Sequence, residues 1–202
     1  MNIQRINAYD DPRFRKNILL QHGAFLIDGS TPSEFEIIGP DTAVIRCQRE
    51  DALDALIDEF RFYAEHITRF IDESGRVFRK FPAVRLFWTE MDSIQPSQFY
   101  ADEEKLEAVR SFIKTPEDVV IPLIEHEGRY VSLDGHTRLY AAREMGFTQV
   151  RGFLTQADPY ILKFVGEAQR RGIYSVRDIA LLSHAEYCVK WHKFCDDFFA
   201  EH

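Results

Sequence analysis

Hydrophobic and polar positions follow two different periods in the first part of the chain. Short apolar runs at Ala24–Asp28, Phe35–Ile38 and Ala43–Cys47 are separated by turn residues, which predicts a small meander of strands. Between positions 51 and 72, apolar residues instead recur every three or four positions. This spacing predicts one amphipathic helix over Asp51–Asp72, and a further strand is predicted at Val84–Trp88.

The second part combines strand and helix patterns. A turn is predicted at 94–97, and two strands joined by a Gly-containing turn predict a hairpin. The second strand of the hairpin runs into Asp-Gly and then directly into a helical pattern. The predicted elements are helix Asp102–Ile113, strands Val119–Ile124 and Tyr130–Leu133, a helix that opens at Gly135 and ends at Gly146, and strand Gln149–Leu154.

The C-terminal part is predicted to be helical throughout, with helices at Pro159–Gly172, Ser175–Leu182 and Ser183–Phe199. The last two begin with serine followed three residues later by an acidic residue, which is typical of a capping box. Together these patterns predict an α+β fold in three segments: an α+β part at 1–85, a central module at 86–155 and a helical tail at 156–202.

Composition and charge exclude several classes of protein. The 202 residues carry a net charge of −8 and are 45% hydrophobic, with 17 Phe, so the chain can form a core and is not a disordered protein. An acidic chain is a poor general ligand for nucleic acid. No apolar stretch reaches the roughly 18 residues of a membrane span, the N-terminus lacks the apolar core of a signal peptide, and three scattered cysteines make no disulfide framework. We therefore expect a cytoplasmic protein.

The segment with the most distinctive chemistry is Asp-Gly-His-Thr-Arg at positions 134–138. The first amides of a helix have no intrahelical acceptor and lie at the positive end of its dipole, so they attract anions. Gly135 lets a phosphate approach the backbone, Thr137 and Arg138 supply donors, and His136 can donate or shuttle a proton near neutral pH. In the simpler alternative, Asp134 is an ordinary N-cap and Arg138 a solvated surface charge.

The context of this motif resembles the ParB/sulfiredoxin superfamily. The resemblance covers roughly Leu86 to Leu154, about a third of the chain. Its parts occur in the family's order: a strand, then Ile94-x-Pro96, the helix Asp102–Ile113, the strand Val120–Ile124, the run Gly128–Gly135, and then Arg138, Ala141-Ala142, Gly146 and Val150. The resemblance implies a ParB/sulfiredoxin-like module that binds a nucleotide at the start of the motif helix.

The residues of the motif are closest to the free-serine kinase branch of that superfamily, which carries Asp-Gly-His-His-Arg. This implies that Gly135, His136, Thr137 and Arg138, with Ser97 and Gln98 from the preceding turn, bind ATP, ADP or CTP with Mg²⁺, and that Asp134 and His136 are catalytic. Gln98 stands where the kinase branch has a glutamate and cannot act as a carboxylate base. ParB proteins have Gly-Glu-Arg-Arg here, and the catalytic cysteine of sulfiredoxins is absent from the motif.

Two classes of function follow from this resemblance. The first is an enzyme that transfers phosphoryl from a nucleotide to a small hydroxyl-bearing metabolite. The second is a non-catalytic, nucleotide-gated regulator, which could act as a homodimer. Helices 175–182 and 183–199 superficially fit a DNA-binding helix-turn-helix, but positions 175–202 hold more carboxylates than Lys and Arg residues, which disfavours DNA.

Two further clusters have a structural alternative that we prefer. His184, Cys188, His192 and Cys195 share one helix face and could ligate a metal, but one helix rarely supplies a full tetrahedral shell, so packing is favoured. Glu125-His126-Glu127 lies at the predicted hairpin tip and is expected to be a solvated turn. The sequence therefore assigns no protein metal site.

Overall fold

The computed structural model describes residues 1–200 and divides the chain into two units, the first ending at Val84 and the second beginning at Arg85. Both contain sheets and helices, so the fold is α+β as predicted. The C-terminal helices contribute Phe164, Tyr187 and Trp191 to the same core as the sheet of the second unit. Among the described residues, no helix combines the length and apolar character that crossing a membrane requires.

The first unit is a six-stranded sheet in the order β1-β2-β3-β4-β5-β6. Neighbouring strands are antiparallel except β4 and β5, which are parallel and are connected through helix α2. Four phenylalanines form much of its core, and Phe35 and Phe60 stack with ring centroids 4.3 Å apart. The elements are β1 Ile3–Arg5, α1 Lys16–Leu20, β2 Ala24–Ile27, β3 Thr31–Ile37, β4 Thr42–Cys47, α2 Leu53–Tyr63, β5 Arg69–Ile71 and β6 Val77–Lys80.

The second unit contains a five-stranded sheet in the order β7-β12-β10-β11-β8 and a separate parallel pair, β9 with β13. Strands β8 and β11 are parallel, as are β10 and β12. The elements are β7 Phe87–Glu90, β8 Ile94–Pro96, β9 Tyr100–Asp102, α3 Glu103–Phe112, β10 Val120–His126, β11 Arg129–Ser132, α4 His136–Glu144, β12 Gln149–Leu154, α5 Tyr160–Arg170, β13 Ala180–Leu182, α6 His184–Tyr187, a π-helical turn Cys188–His192, and α7 Lys193–Ala200.

The long helix predicted over Asp51–Asp72 is wrong in its second half. Helix α2 ends at Tyr63, and the chain then forms strand β5, which pairs with β4. Phe70, one of the residues that completed the helical spacing, packs instead from the strand against Phe35 and Phe60, with centroids 6.1 Å apart in both pairs. The spacing of apolar residues alone could not show that the segment crosses over to a parallel strand.

Two shorter predictions are also corrected. The segment 94–97, predicted to be a turn, begins with the buried strand β8, which pairs with β11. The helix predicted at Ser175–Leu182 is only a short 3-10 turn, Val176–Asp178, followed by strand β13. Its capping box is present, but the next residues pair with β9 because tertiary pairing outweighs the local helix signal. The two consecutive helices that a helix-turn-helix would require are therefore not formed.

Candidate functional site

The motif lies where two parallel strands end. Because β8 and β11 run in the same direction, their carboxyl ends meet at one edge of the sheet, and ligands commonly bind at such an edge in α/β folds. Ser97 directly follows β8, and Ser132 is the last residue of β11. Helix α4 begins at this edge, with Gly135 as its N-cap residue, as the sequence predicts.

Gly135 is required by both the backbone and the surrounding atoms. Its φ is +81°, in the left-handed region that glycine adopts without strain. A Cβ at this position would lie 2.8 Å from Ile121 Cδ1 and 3.0 Å from Nε and Nη2 of Arg138. The missing side chain therefore makes room for the Arg138 guanidinium beside the first turn of α4.

Arg138 is anchored at the start of the helix by two acceptors. Its Nη1 donates to the Val120 carbonyl at 2.8 Å, and its Nη2 lies 3.2 Å from Asp134 Oδ2. Only 20% of the Arg138 side chain is exposed, against 68% for Asp134. The simpler alternative is thus corrected: Gly135 holds the N-cap position, and Arg138 is a fixed cation rather than a solvated one.

His136 is buried and serves as a hydrogen-bond acceptor. The Ser97 amide donates to its Nε2 at 3.2 Å, and the Ser132 hydroxyl lies 3.1 Å from the same nitrogen. The Ser97 hydroxyl donates to the Ser132 carbonyl at 2.7 Å. Burial lowers the pKa of His136 to about 4, so the ring is neutral near pH 7. This setting disfavours a proton shuttle at neutral pH, because Nε2 already accepts a hydrogen bond inside the protein.

The other predicted site residues have different surroundings. Ser97 belongs to the buried network around His136. The Gln98 side chain is half-buried, and its amide donates to the Tyr100 carbonyl at 2.6 Å and to the Tyr187 hydroxyl at 2.9 Å. Thr137 lies half-buried in the first turn of α4. The structure therefore brings Asp134, Gly135, Thr137 and Arg138 together at the helix start, with Ser97 and His136 beneath them.

Sequence reasoning missed the role of Asp102. Its carboxylate is fully buried, accepts from the Glu104 amide at 3.0 Å as the N-cap of α3, and lies 2.8 Å from His184 Nδ1. The acidic residue before a helix signals the cap, but no local pattern signals a partner 82 positions away. Burial raises the pKa of the neighbouring Tyr187, and the negative charges of Asp102 and Asp134 raise it further.

Two surface grooves of the protein lie away from the motif. One groove of about 570 Å³ lies in the first unit beside β4, and one of about 490 Å³ lies between α5 and α7; motif residues line neither of them. Within residues 1–200, no three His, Cys, Asp or Glu side chains are grouped so as to hold a metal ion. Cys195, one of the candidate ligands, packs against the core of the second unit.

Comparisons with known proteins identify no family for this chain. No protein-family model and no curated protein matches the sequence. Among solved structures, the chain is similar to the crystal structure of protein Atu1540 from Agrobacterium tumefaciens, with a TM-score of 0.34 and 15% sequence identity. The match covers 48% of this chain, and it spans 62% of the length of the Agrobacterium protein.

Proposed function

We propose that the second unit is a ParB/sulfiredoxin-like module that binds the phosphates of a nucleotide at the start of α4 and acts as a nucleotide-gated regulator. The observation that carries this proposal is the Arg138 guanidinium, which packs against the left-handed Gly135 at a helix start. A guanidinium has five N–H donors, and the Val120 carbonyl and Asp134 carboxylate occupy two of them. Further donors can therefore meet phosphate oxygens, together with the first amides of the helix.

Binding is better supported than phosphoryl transfer, because neither the predicted catalytic residue His136 nor Gln98, which stands where the kinase branch has a glutamate, suits proton transfer. His136 is neutral, buried and already an acceptor at Nε2. Gln98 carries no charge, and its amide is bonded to Tyr100 and Tyr187. The helix start can still position a phosphate and neutralise its charge, and these two effects are sufficient for binding.

The C-terminal helix, which comprises α6, the π-helical turn and α7, is the element suited to respond to a bound nucleotide. Two hydrogen bonds join it to the segment that follows β8: Tyr187 to Gln98 and His184 to Asp102. The charge of Asp134 contributes to the raised pKa of Tyr187, so the two groups are electrostatically coupled. A phosphate that pairs with Arg138 would compete with Asp134 for the guanidinium and so alter the field at Tyr187.

Calorimetric titration of the full chain with ATP, ADP and CTP in the presence of Mg²⁺ tests this proposal. We expect one of the three to bind, and we expect Arg138→Gln to weaken it about tenfold or more, because a charged donor to phosphate is worth roughly 1.5–3 kcal/mol. Arg110→Gln is the matched control, since Arg110 is an exposed arginine of α3. Absence of binding to all three nucleotides at millimolar concentration, or equal effects of both substitutions, would contradict the proposal.

A second candidate function, phosphoryl transfer to a small hydroxyl compound, is favoured by one observation. Asp134 is an exposed carboxylate next to Arg138 and could accept the proton of a substrate hydroxyl. Incubation of the chain with labelled ATP and a panel of hydroxyl-bearing amino acids tests it. Turnover that is lost in Asp134→Asn would establish the transfer reaction, and its absence with every acceptor would leave the regulator as the function.

A further inference from the structure

A thiol, an imidazole and a buried carboxylate are aligned on the second unit. The Cys188 Sγ lies 3.5 Å from His184 Nε2, one helical turn away, and the opposite ring nitrogen, Nδ1, lies 2.8 Å from Asp102 Oδ2. A nucleophile is activated when it lies within hydrogen-bond reach of a base and a third group holds that base in the correct orientation. We propose that Cys188 is a reactive thiol that His184 activates, and that it exchanges with low-molecular-weight disulfides to form a mixed disulfide.

The hydrogen bond to Asp102 determines which nitrogen of His184 can act as the base. Because a carboxylate oxygen accepts hydrogen bonds, the contact with Asp102 favours the tautomer of His184 that carries its proton on Nδ1. Nε2 then has a free electron pair directed to the Cys188 thiol. Asp102 is fully buried and also caps α3, so it is a positioning residue that holds the ring in this tautomer.

The other two thiols of the chain lack this environment. Cys47 lies 3.3 Å from the Ser33 hydroxyl and from the Arg49 backbone. Burial raises the pKa of Cys195 to about 11, which disfavours its thiolate. Cys188, in contrast, is partly exposed, and it is the first residue of a π-helical turn, a distortion that often accompanies functional sites. A small disulfide can therefore approach it from solvent.

The exchange reaction is balanced without any further oxidant. The thiol proton of Cys188 passes to His184 Nε2, and the thiolate attacks one sulfur of the disulfide. A bond forms between Cys188 and that sulfur while the original sulfur–sulfur bond breaks. The departing group leaves as a thiolate; it takes the proton of the imidazolium where its own pKa is high, and otherwise the imidazolium gives that proton to solvent. One thiol and one disulfide are thus converted into one mixed disulfide and one thiol without net oxidation or reduction, one half of the small disulfide remains on Cys188, and His184 returns to its neutral form.

Several charged groups surround the pair and belong in any account of its pH dependence. Glu104 Oε2 lies 3.4 Å from His184 Nδ1, and burial lowers the pKa of His192, which the charge of Lys105 lowers further. Glu186 pairs with Lys190 on the helix itself. The groups concerned are therefore Asp102, Glu104 and Lys105 from the β9–α3 segment, and Glu186, Lys190 and His192 from the C-terminal helix.

The experiment measures the reaction of the full chain, without nucleotide, with 5,5′-dithiobis(2-nitrobenzoate), a small disulfide whose released thiolate is coloured. We expect one fast phase, which peptide mass analysis assigns to Cys188 and which Cys188→Ser removes. At pH 7, we expect His184→Asn to slow this phase about tenfold or more. Its rate should also fall with decreasing pH as that of a free cysteine does, whereas the wild-type rate should persist to lower pH.

His192→Asn is the matched control, because it removes the other histidine of the same helix, and at pH 7 we expect it to change the rate of the fast phase much less than His184→Asn does. Asp102→Asn keeps an oxygen that can cap α3, and we expect it to slow the reaction and shift its pH profile toward that of His184→Asn. A fast phase on Cys47 or Cys195, no fast phase, or an unaltered rate in His184→Asn would overturn the proposal. Since the assay contains no nucleotide, its outcome is independent of the nucleotide-binding proposal.

Discussion

His136 joins three parts of the second unit through one ring nitrogen. Nε2 accepts from the Ser97 amide after β8 and lies beside the Ser132 hydroxyl at the end of β11, while the residue itself starts α4. A buried acceptor without a donor would cost about 1–3 kcal/mol, so the ring and the amide stabilise each other's burial. The residue therefore fixes the position of the helix start on which the proposed phosphate site depends.

Burial of neutral His136 predicts a loss of stability in mild acid. The pKa of the folded-state ring is about 4, below the value of 6.5 for an unperturbed histidine, so the unfolded chain binds a proton that the folded chain does not. The contribution is complete above pH 6.5 and is lost as the pH falls toward 4. Between about pH 7 and 5 we expect the free energy of unfolding to fall by about 2 kcal/mol from this group.

Urea denaturation of the wild type and of His136→Gln at both pH values measures this contribution. The glutamine side chain supplies an acceptor for the Ser97 amide but does not titrate, so we expect a smaller pH dependence in the variant. Equal pH dependence in the two proteins would show that His136 is not held neutral in the fold.

Among individual residues, the sequence predicted that Gly135, the start of the helix and Arg138 belong to one site, because these lie within five consecutive positions. It did not predict the burial of His136, since the Ser97 partner is 39 positions away. It also did not predict the contact between Asp102 and His184, which are 82 positions apart. Local patterns report caps and turns, whereas pairings across the fold depend on which strands become neighbours.

Helix α4 has a left-handed glycine at each end, which permits a controlled substitution. Gly135 has φ +81° and Gly146 has φ +77°, but a Cβ on Gly146 meets no atom within 4 Å. We expect alanine at either position to lower the free energy of unfolding by about 1–2 kcal/mol, the cost of a left-handed residue with a side chain. Only Gly135→Ala should also displace the Arg138 guanidinium.

Nucleotide titrations of the two variants, with urea denaturation of each, test this prediction. We expect weakened binding in Gly135→Ala and wild-type affinity in Gly146→Ala, with the larger loss of stability in Gly135→Ala because its Cβ would also crowd Ile121 Cδ1. If both variants bound equally well, the fixed guanidinium would not be part of the binding site.

Elements were predicted best where a period and a boundary signal agreed. The helix predicted at Asp102–Ile113 is confirmed as α3 with Asp102 as its cap, and the predicted hairpin is confirmed as β10 and β11. The helix at 51–72 failed because its second half pairs in parallel with β4, an interaction between distant segments. Strands of three residues, such as β8 and β13, are too short for alternation to be recognised in the sequence.

Both proposed sites lie on the second unit, and the net charge of the chain is −8. Each unit has a large hydrophobic core cluster of its own. Fixed cations such as Arg138 are local exceptions on an acidic chain, which suits one phosphate ligand better than a polyanion. We therefore expect a bound nucleotide to lie at the start of α4.

Hydrogen-exchange mass spectrometry of the full chain, with and without a millimolar Mg²⁺–nucleotide, locates the bound nucleotide. The first amides of α4 lack intrahelical acceptors, so a bound phosphate should slow their exchange. We expect protection of peptides that cover residues 135–139, with a smaller change around Tyr187, and no protection at 135–139 in Arg138→Gln. Unchanged exchange at 135–139 with every nucleotide, or protection confined to other segments, would contradict this location.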